Sequence, residues 1–317
     1  MAGSLDGVRV VVVCGGTSAE AEVSLVTGQM VAEALERCGA RVRTVQPDGT
    51  LIDALRAGDA DVVFPALHGP LGEDGCLQGL LEYHRVPYAG SGVRASACAN
   101  DKITAKRIFR DAGLPLAADQ VVSQTADRAE AIKRVQEAVG EDVVVKPACQ
   151  GSAIGVSFAR GPEELAAALA AALEFGDDVL VEERIEGSEI TAGVLDLGAS
   201  PRPLPLIDIR TPAESWYDYQ HRYTAGLSEH VIPAPLTEPV YRLVQETAVS
   251  AHQVLGCRHL SRVDFVVSPA GRVALLEVNT MPGMTPTSLY PDAARHAGYS
   301  FDDLVSAFIR DALGRPG

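Results

Sequence analysis

The chain has 317 residues, 47% hydrophobic and 22% charged, with a formal net charge of -15. This is the composition of an ordinary globular protein with room for two or three domains and a sizeable core. The negative balance argues against nucleic acid or an anionic membrane as the main partner, since both attract basic surfaces, but it permits a local cationic pocket for phosphates.

The six cysteines are scattered without a C-x-x-C pair, so reduced thiols in a cytoplasm are expected. The N-terminus lacks a basic region and a small-residue cleavage site, and its apolar run is too short to span a bilayer. It reads as the first strand of a soluble protein. Lysine is scarce, occurring only at Lys102, Lys106, Lys133 and Lys146.

Residues 8–13 are a continuous β-rich run, the pattern of a strand buried on both faces. Gly15 to Ser18 turns the chain. Residues 20–37 then carry helical periodicity in Val23, Val26, Met30 and Ala34, with a stop at Gly39. Residues 42–45 and 62–67 read as further strands, and strands alternating with helices predict a parallel α/β unit. A strand followed by two glycines invites a dinucleotide reading, but G-x-G-x-x-G is absent. A glycine-rich loop from His68 to Gly75 leaves the carboxyl end of a strand, where ligands gather in open α/β sheets. His68 is therefore a candidate contact; the competing reading is a satisfied structural histidine. Residues 88–92, YAGSG, read as a domain linker.

A second unit begins with a helix running from Asn100 to Asp111, ended by Gly113 and Pro115. A strand at 120–123, a helix at 125–139 and a strand at 142–146 follow. Residues 148–156, ACQGSAIGV, form a small-residue loop between strands that lets backbone amides approach phosphates. Lys146 ends an apolar strand without an obvious core role, which points to a phosphate partner; a snorkelling surface lysine is the alternative. A helix at 162–175 and a strand at 178–185 follow, with Glu182 and Glu183 at the strand's exit. A third unit opens at 187–191, GSEIT. Glu182 and Glu189 could equally be solvated charges. The aromatic loop 215–223, without helix or strand period, suggests a lid. A helix at 237–255 follows.

Residues 260–289 read as a hairpin. A two-residue turn at Ala270-Gly271 sets Pro269 opposite Arg272, so that Asp264 faces Glu277 and Arg262 faces Asn279 on one face. Opposed carboxylates repel unless a cation lies between them. Two carboxylates and an amide oxygen are hard donors suited to Mg²⁺. A solvated polar face on an ordinary hairpin is the competing reading. The loop after Asn279, MPGMT, offers backbone donors, and Thr287-Ser288-Leu289 opens a helix whose N-terminus is a ready carboxylate or phosphate site.

The segments GGTSAEAEVSL, ALHGPLGEDGCLQG, YAGSGVRASACANDK, VVVKPACQGSAIGV, VEERIEGSEIT, YDYQHRY, SRVDF and LLEVNTMPGMTPTSLYP together resemble the D-alanine–D-alanine ligases of the ATP-grasp superfamily. The likeness covers nearly the whole chain, in order. It implies an α/β, three-domain ATP-grasp fold: an N-terminal parallel α/β domain (1–91) and two α+β domains (92–185 and 186–317) clasping ATP. It implies a cytoplasmic ligase for peptidoglycan precursors that joins two D-alanines through an acyl phosphate, uses ATP and two Mg²⁺ (Mn²⁺ as a substitute), and forms homodimers.

Carried over by motif, the resemblance assigns Asp264, Glu277 and Asn279 to the metals, and Lys102 and Lys146 to the ATP phosphates. Arg222 is carried to the γ-phosphate. Glu182, Glu183 and Ile185 border adenine, and Glu189 takes the ribose. Glu20 takes the first substrate's ammonium, with Ser152 and Tyr223 in its network and His68 nearby. Arg262 and the Gly283 N–H stabilise the oxyanion, and Ser288 and Leu289 receive the second carboxylate. The chain departs from the pattern at Arg222, where lysine is common, at Arg184, where an aromatic is, and at Gln150, where an acid can occur. The alternatives are an ATP-grasp ligase for another amino acid pair in a specialised biosynthetic or resistance pathway, and a non-catalytic nucleotide-binding regulator.

Overall fold

Four of the five residues of strand β1 (Arg9–Val13) are buried. In the computed structural model, which describes residues 4–176, 178–198, 200–212, 224, 226–285 and 288–315, β1 is the middle of a parallel sheet. Its neighbours are β2 (Arg41–Val45) and β3 (Val62–Pro65). Val10 and Val12 face one core, with Val31 and Leu35 of helix α1 (Ala21–Arg37). Val11 and Val13 face another, with residues of α2 (Gly49–Ala57) and α3 (Cys76–Tyr83). Covered on both sides, β1 has no polar face to present, hence its unbroken apolar run.

The segment read as a linker is a buried crossing. Tyr88 bridges Val63 in parallel, the Gly90 N–H donates to His259 Nδ1 at 2.7 Å, and the Arg258 N–H donates to Ser91 Oγ at 3.1 Å.

The helix expected from Asn100 is two helices, α4 (Val93–Asn100) and α5 (Lys102–Asp111). Asp101 breaks them apart because it is extended (φ -86°, ψ 100°) and its carboxylate accepts from the N–H groups of Ile103 and Thr104. An N-cap needs that backbone geometry.

The second sheet is antiparallel, in the order β4 (Asp119–Val122), β7 (Val179–Glu183), β5 (Asp142–Pro147), β6 (Ser157–Arg160). Helices α6 (Arg128–Ala138) and α7 (Gly161–Leu173) bury Val135, Leu165 and Leu169 against it.

The third sheet is also antiparallel. Its order is β11 (Glu229–Val231), β10 (Ile207–Arg210), β8 (Ser188–Asp196), β12 (His259–Val267), β13 (Val273–Asn279), with β9 (Arg202–Pro203) on β8. One face packs on α4, α5 and α8 (Glu238–Leu255). Helices α9 (Leu289–His296) and α10 (Phe301–Gly314) return the chain to the first sheet, where Phe308 and Ile309 share the core of Val10 and Val12. Arg37 of α1 forks onto Asp302 of α10 at 2.7 and 2.9 Å. Among the described residues, no helix is long and apolar enough to cross a membrane.

The β12–β13 hairpin corrects the expected turn. The Ser268 N–H donates to Arg272 O and the Gly271 N–H to Ser268 O, both at 2.9 Å, leaving a three-residue loop with Gly271 at φ +81°. That is the turn-plus-left-handed-residue geometry of three-residue hairpins. The offset this introduces is cancelled by a β-bulge between Asp264 and Phe265, where Leu276 is the extra residue on β13. Asp264 still pairs with Glu277, and Arg262 with Asn279.

Candidate active site

Two cavities meet at Lys102 and Glu277, which line both. The inner one lies between the first sheet and the hairpin, among Glu20, His68, Ser152, Arg262, Gly283 and Ser288. The outer one is a cleft of about 780 Å³ between the second and third sheets, a volume typical of small-molecule sites. Every sequence-derived site residue among the described ones lines one cavity or the other. Arg222 and Tyr223 lie outside the described residues.

Glu20, only 7% exposed, ends the turn before α1 and accepts a hydrogen bond from Ser152 Oγ, on the loop that follows β5. Gly69 makes room for this carboxylate: a Cβ there would lie 2.9 Å from Glu20 Oε2, on a backbone at φ +75°. Ser152 and Ala153 hold positive φ (49° and 60°) without being glycine, strain of the kind that concentrates at ligand clamps. His68 is buried, with Nε2 at 3.2 Å from Thr27 Oγ1 and Nδ1 at 3.4 Å from Glu73 Oε1.

On the hairpin face, Arg262 donates a forked pair to Asp264 (2.9 and 2.7 Å), and Thr191 Oγ1 donates to the same carboxylate at 2.6 Å. Lys102 Nζ sits 3.3 Å from Glu277 and donates to Gln150 O at 2.6 Å. Asn279 Oδ1 accepts from the Met281 N–H at 2.8 Å. Repulsion between the paired carboxylates is thus offset by Arg262 and Lys102. The donor set fits a divalent hard cation: two carboxylates and an amide oxygen at the junction of the cavities. Among the described residues, no cluster of three or more His, Cys, Asp or Glu could hold a metal. An ion here would complete its shell with water and phosphate oxygens, the habit of Mg²⁺.

Beyond Met281, the Thr285 N–H donates to Ser288 Oγ at 3.0 Å, and Ser288 is the N-cap of α9. The Leu289 side chain is buried in the core, so the backbone is what it offers to a ligand.

In the cleft, Glu182 is 2% exposed and lies between Lys106 on one oxygen and Lys146 on the other. Burial alone would raise the Glu182 pKa; the two ammonium groups outweigh it and hold the carboxyl below its usual range. Burial would lower the Lys146 pKa, but Glu182, Glu277 and Glu189 outweigh it and the net shift is upward. Both stay charged. Glu183, at the rim, accepts a fork from Arg272 at 2.6 and 2.7 Å. Ile185 packs with Ala117, Val266 and Leu276 into an apolar patch. Arg184 lies 4.6 Å over the Phe158 ring, and both line the cleft.

Sequence reasoning missed Lys106, Glu73 and Thr191. Lys106 is four residues after Lys102 on α5, so the two share a helix face; that spacing was the available signal. Glu73 sat unremarked in the His68 loop. Thr191 meets Asp264 only through β8–β12 pairing, which leaves no local trace.

A family model described as "D-ala D-ala ligase C-terminus" matches residues 108–310, and one described as "D-ala D-ala ligase N-terminus" matches residues 48–91. A D-alanine--D-alanine ligase of Desulforamulus reducens is 45% identical over 96% of this chain and 98% of its own. That of Desulforudis audaxviator is 46% identical over 97% and 99%. Among solved structures, the ligase from Bacillus anthracis complexed with ATP superposes with TM-score 0.83 at 29% identity, covering 97% of this chain and 98% of that one. D-alanyl-alanine synthetase A from Vibrio cholerae does so with TM-score 0.86 at 27%, covering 98% and 100%. With two antiparallel sheets enclosing a cleft beside a parallel α/β unit, and with likeness along nearly its whole length, the chain belongs to the D-alanine–D-alanine ligase family and has its ATP-grasp fold.

Proposed function

We propose that the chain is an ATP-dependent ligase that joins two D-alanines. The γ-phosphoryl group passes from ATP to a carboxylate oxygen of the first D-alanine. The amine of the second, having lost a proton, attacks the acyl carbon, and phosphate leaves with the C–O bond. The products are D-alanyl-D-alanine, ADP and phosphate. The observation that carries this reading is the junction at Lys102 and Glu277. A carboxylate in the inner cavity and a terminal phosphate in the cleft would meet there, held by charge rather than by a protein nucleophile, which is what phosphoryl transfer requires.

In this reading Glu20 binds the first ammonium, positioned by Ser152 and Tyr223, with His68 beside it. Arg262 and the Gly283 N–H are aimed at the tetrahedral oxyanion. Ser288 and the Leu289 N–H receive the second carboxylate. Lys102, Lys146 and Arg222 hold phosphates. Glu182, Glu183 and Ile185 border the base, and Glu189 the ribose. Asp264, Glu277 and Asn279 would hold Mg²⁺, two ions in the full site, which supply neutralisation of phosphate charge. The units 1–91, 92–185 and 186–317 act as a substrate domain and two ATP-clasping domains. The setting is the cytoplasm, the product a peptidoglycan precursor, and the working state a homodimer.

The test is to incubate the protein with ATP, Mg²⁺ and D-alanine and to quantify ADP and dipeptide together. The expected result is one ADP per D-alanyl-D-alanine, with no product from L-alanine. ADP release that ignores D-alanine overturns the reading.

A further inference from the structure

Helix α5 carries Lys102, Lys106 and Arg110 at four-residue spacing, so all three lie along one face. Lys102 reaches the cavity junction; Arg110 pairs with Asp119. Lys106, between them, is 4% exposed and lines neither cavity. It donates to Glu182 and stands 3.6 Å from Asp119. Asp119 and Glu182 are directly paired across β4 and β7, a like-charge juxtaposition that needs a cation. On the other side of Glu182, Lys146 is its diagonal neighbour on β5, since Val144 pairs with Glu182 and Lys146 with Leu180. Charge therefore alternates along a line: Arg110, Asp119, Lys106, Glu182, Lys146.

A buried ammonium is costly unless it is paired. One lysine would balance Glu182; two meet on it. With Lys106 neutralising the carboxylate from behind, the charge of Lys146 is left to act on the cleft, where Lys146 is and Lys106 is not. Lys146 already stands 2.5 Å from Glu182; remove Lys106, and it becomes the sole counterion of that buried carboxylate, held there more strongly against the pull of an incoming anion.

We infer that Lys106 is a positioning residue for nucleotide phosphates: it shares Glu182 with Lys146 and so frees Lys146 for the phosphate chain. The inference rests on the proposed phosphate role of Lys146. It acts on affinity, through a group that does touch the ligand, and does not touch the ligand itself.

The test measures binding by calorimetry with a non-hydrolysable ATP analogue and with adenosine, in the full chain with Mg²⁺. Lys106→Met leaves a balanced Lys146–Glu182 pair and should fold; Lys106→Gln, which still fills the site without charge, is the second variant. Either should weaken the analogue by about 10-fold or more while adenosine changes by less than about 3-fold, a loss of the size expected for one charge-assisted contact. In turnover, KM for ATP should rise while kcat stays within about 3-fold. In a Glu182→Gln background the carboxylate that both lysines share is gone, so Lys106→Met should cost less than about 3-fold there, the non-additivity of a coupled pair. Equal losses for analogue and adenosine, or an equal cost of Lys106→Met in both backgrounds, overturn the inference. So does unchanged binding beside a collapsed melting temperature. Failure of the unmutated chain to bind the analogue instead overturns the functional reading beneath it.

Discussion

Ser152, in the loop after β5, donates its hydroxyl hydrogen to Glu20, at the start of α1 and 132 residues earlier in the chain. The bond ties the proposed phosphate loop to the proposed site of the first ammonium, so each half of the reaction is held by the other. Ser152→Ala should raise KM for the first D-alanine by about 10-fold, the weight of a hydrogen bond to a charged group. Melting temperature should hold within about 2 °C, since Ser152 is only partly buried and lines the inner cavity, where water can take the place of its hydroxyl. Initial rates over a D-alanine series, beside a thermal melt, check this. An unchanged KM with a lowered melt would make the bond structural only.

Glu277→Gln removes a carboxylate from the junction while keeping its shape. Glu277 is a quarter exposed, and its partner Lys102 also donates to Gln150 O, so the fold should tolerate the change. Turnover at saturating Mg²⁺ should drop by about 10²-fold or more, as when one metal or transition-state contact is lost. A near-normal rate would remove Glu277 from the chemistry.

His259 is buried where three elements meet: Nδ1 accepts from the Gly90 N–H, and Nε2 lies 2.8 Å from Asp311. An Nδ1 that accepts carries no proton, so the ring is neutral and Nε2 donates. Burial pushes its pKa down to about 4, with Arg315 and Arg258 adding to the shift and Asp311 opposing it. In the unfolded chain the ring protonates near 6.5. Between those values the unfolded chain binds a proton that the folded one refuses. Stability is therefore greatest above about pH 7 and falls as pH drops toward 4, by at most about 1 kcal/mol per pH unit. Urea unfolding at pH 7, 6 and 5 should show that slope. His259→Asn, which suits the backbone at φ +62°, should reduce it, leaving the share of buried His252, whose pKa burial also lowers.

Much of this molecule was legible locally. The unbroken valines of β1, the alternation of β12 and β13, and the glycine-rich loops each follow from a short-range rule. Pairing Asp264 with Glu277 came out right through two departures that cancel: a three-residue loop where two were expected, and the extra Leu276 in β13. Each moves the register by one, and a period-of-two pattern cannot register a pair of such shifts. What stayed hidden is long-range. Lys106 meets Glu182 across 76 residues, and Arg37 meets Asp302 across 265. No local periodicity reports that α10 closes the core of the first sheet. The bulge also explains why Leu276 and Glu277, adjacent in sequence, both reach the cleft, since a bulge turns two successive side chains toward one side.

The last prediction concerns the second substrate. Gly283 faces Ser288 across the loop before α9, and a Cβ at Gly283 would lie 2.8 Å from Ser288 Oγ. That oxygen is the end of a short side chain, so the cheapest relief for Gly283→Ala is a turn of the serine rather than a shift of backbone. The turn breaks the contacts that hold Ser288 Oγ to the Thr285 N–H and hydroxyl, at 3.0 and 2.8 Å. Rotating a serine and losing two partly buried hydrogen bonds costs the fold about 1–3 kcal/mol. The acceptor site loses more, because in the proposed reading Ser288 and the α9 N-terminus receive the second D-alanine's carboxylate. Gly283→Ala should therefore raise KM for the second D-alanine by about 10-fold, leave KM for the first and for ATP within about 2-fold, and move the melt by only a few degrees. Adding Ser288→Ala removes the clash but also the oxygen that Thr285 bonds, so neither the melt nor the KM should recover. Initial-velocity data over a wide D-alanine range separate the two KM values. A KM for the second D-alanine that recovers in the double variant would mean that Ser288 is a bystander and that the loop backbone alone receives the acceptor.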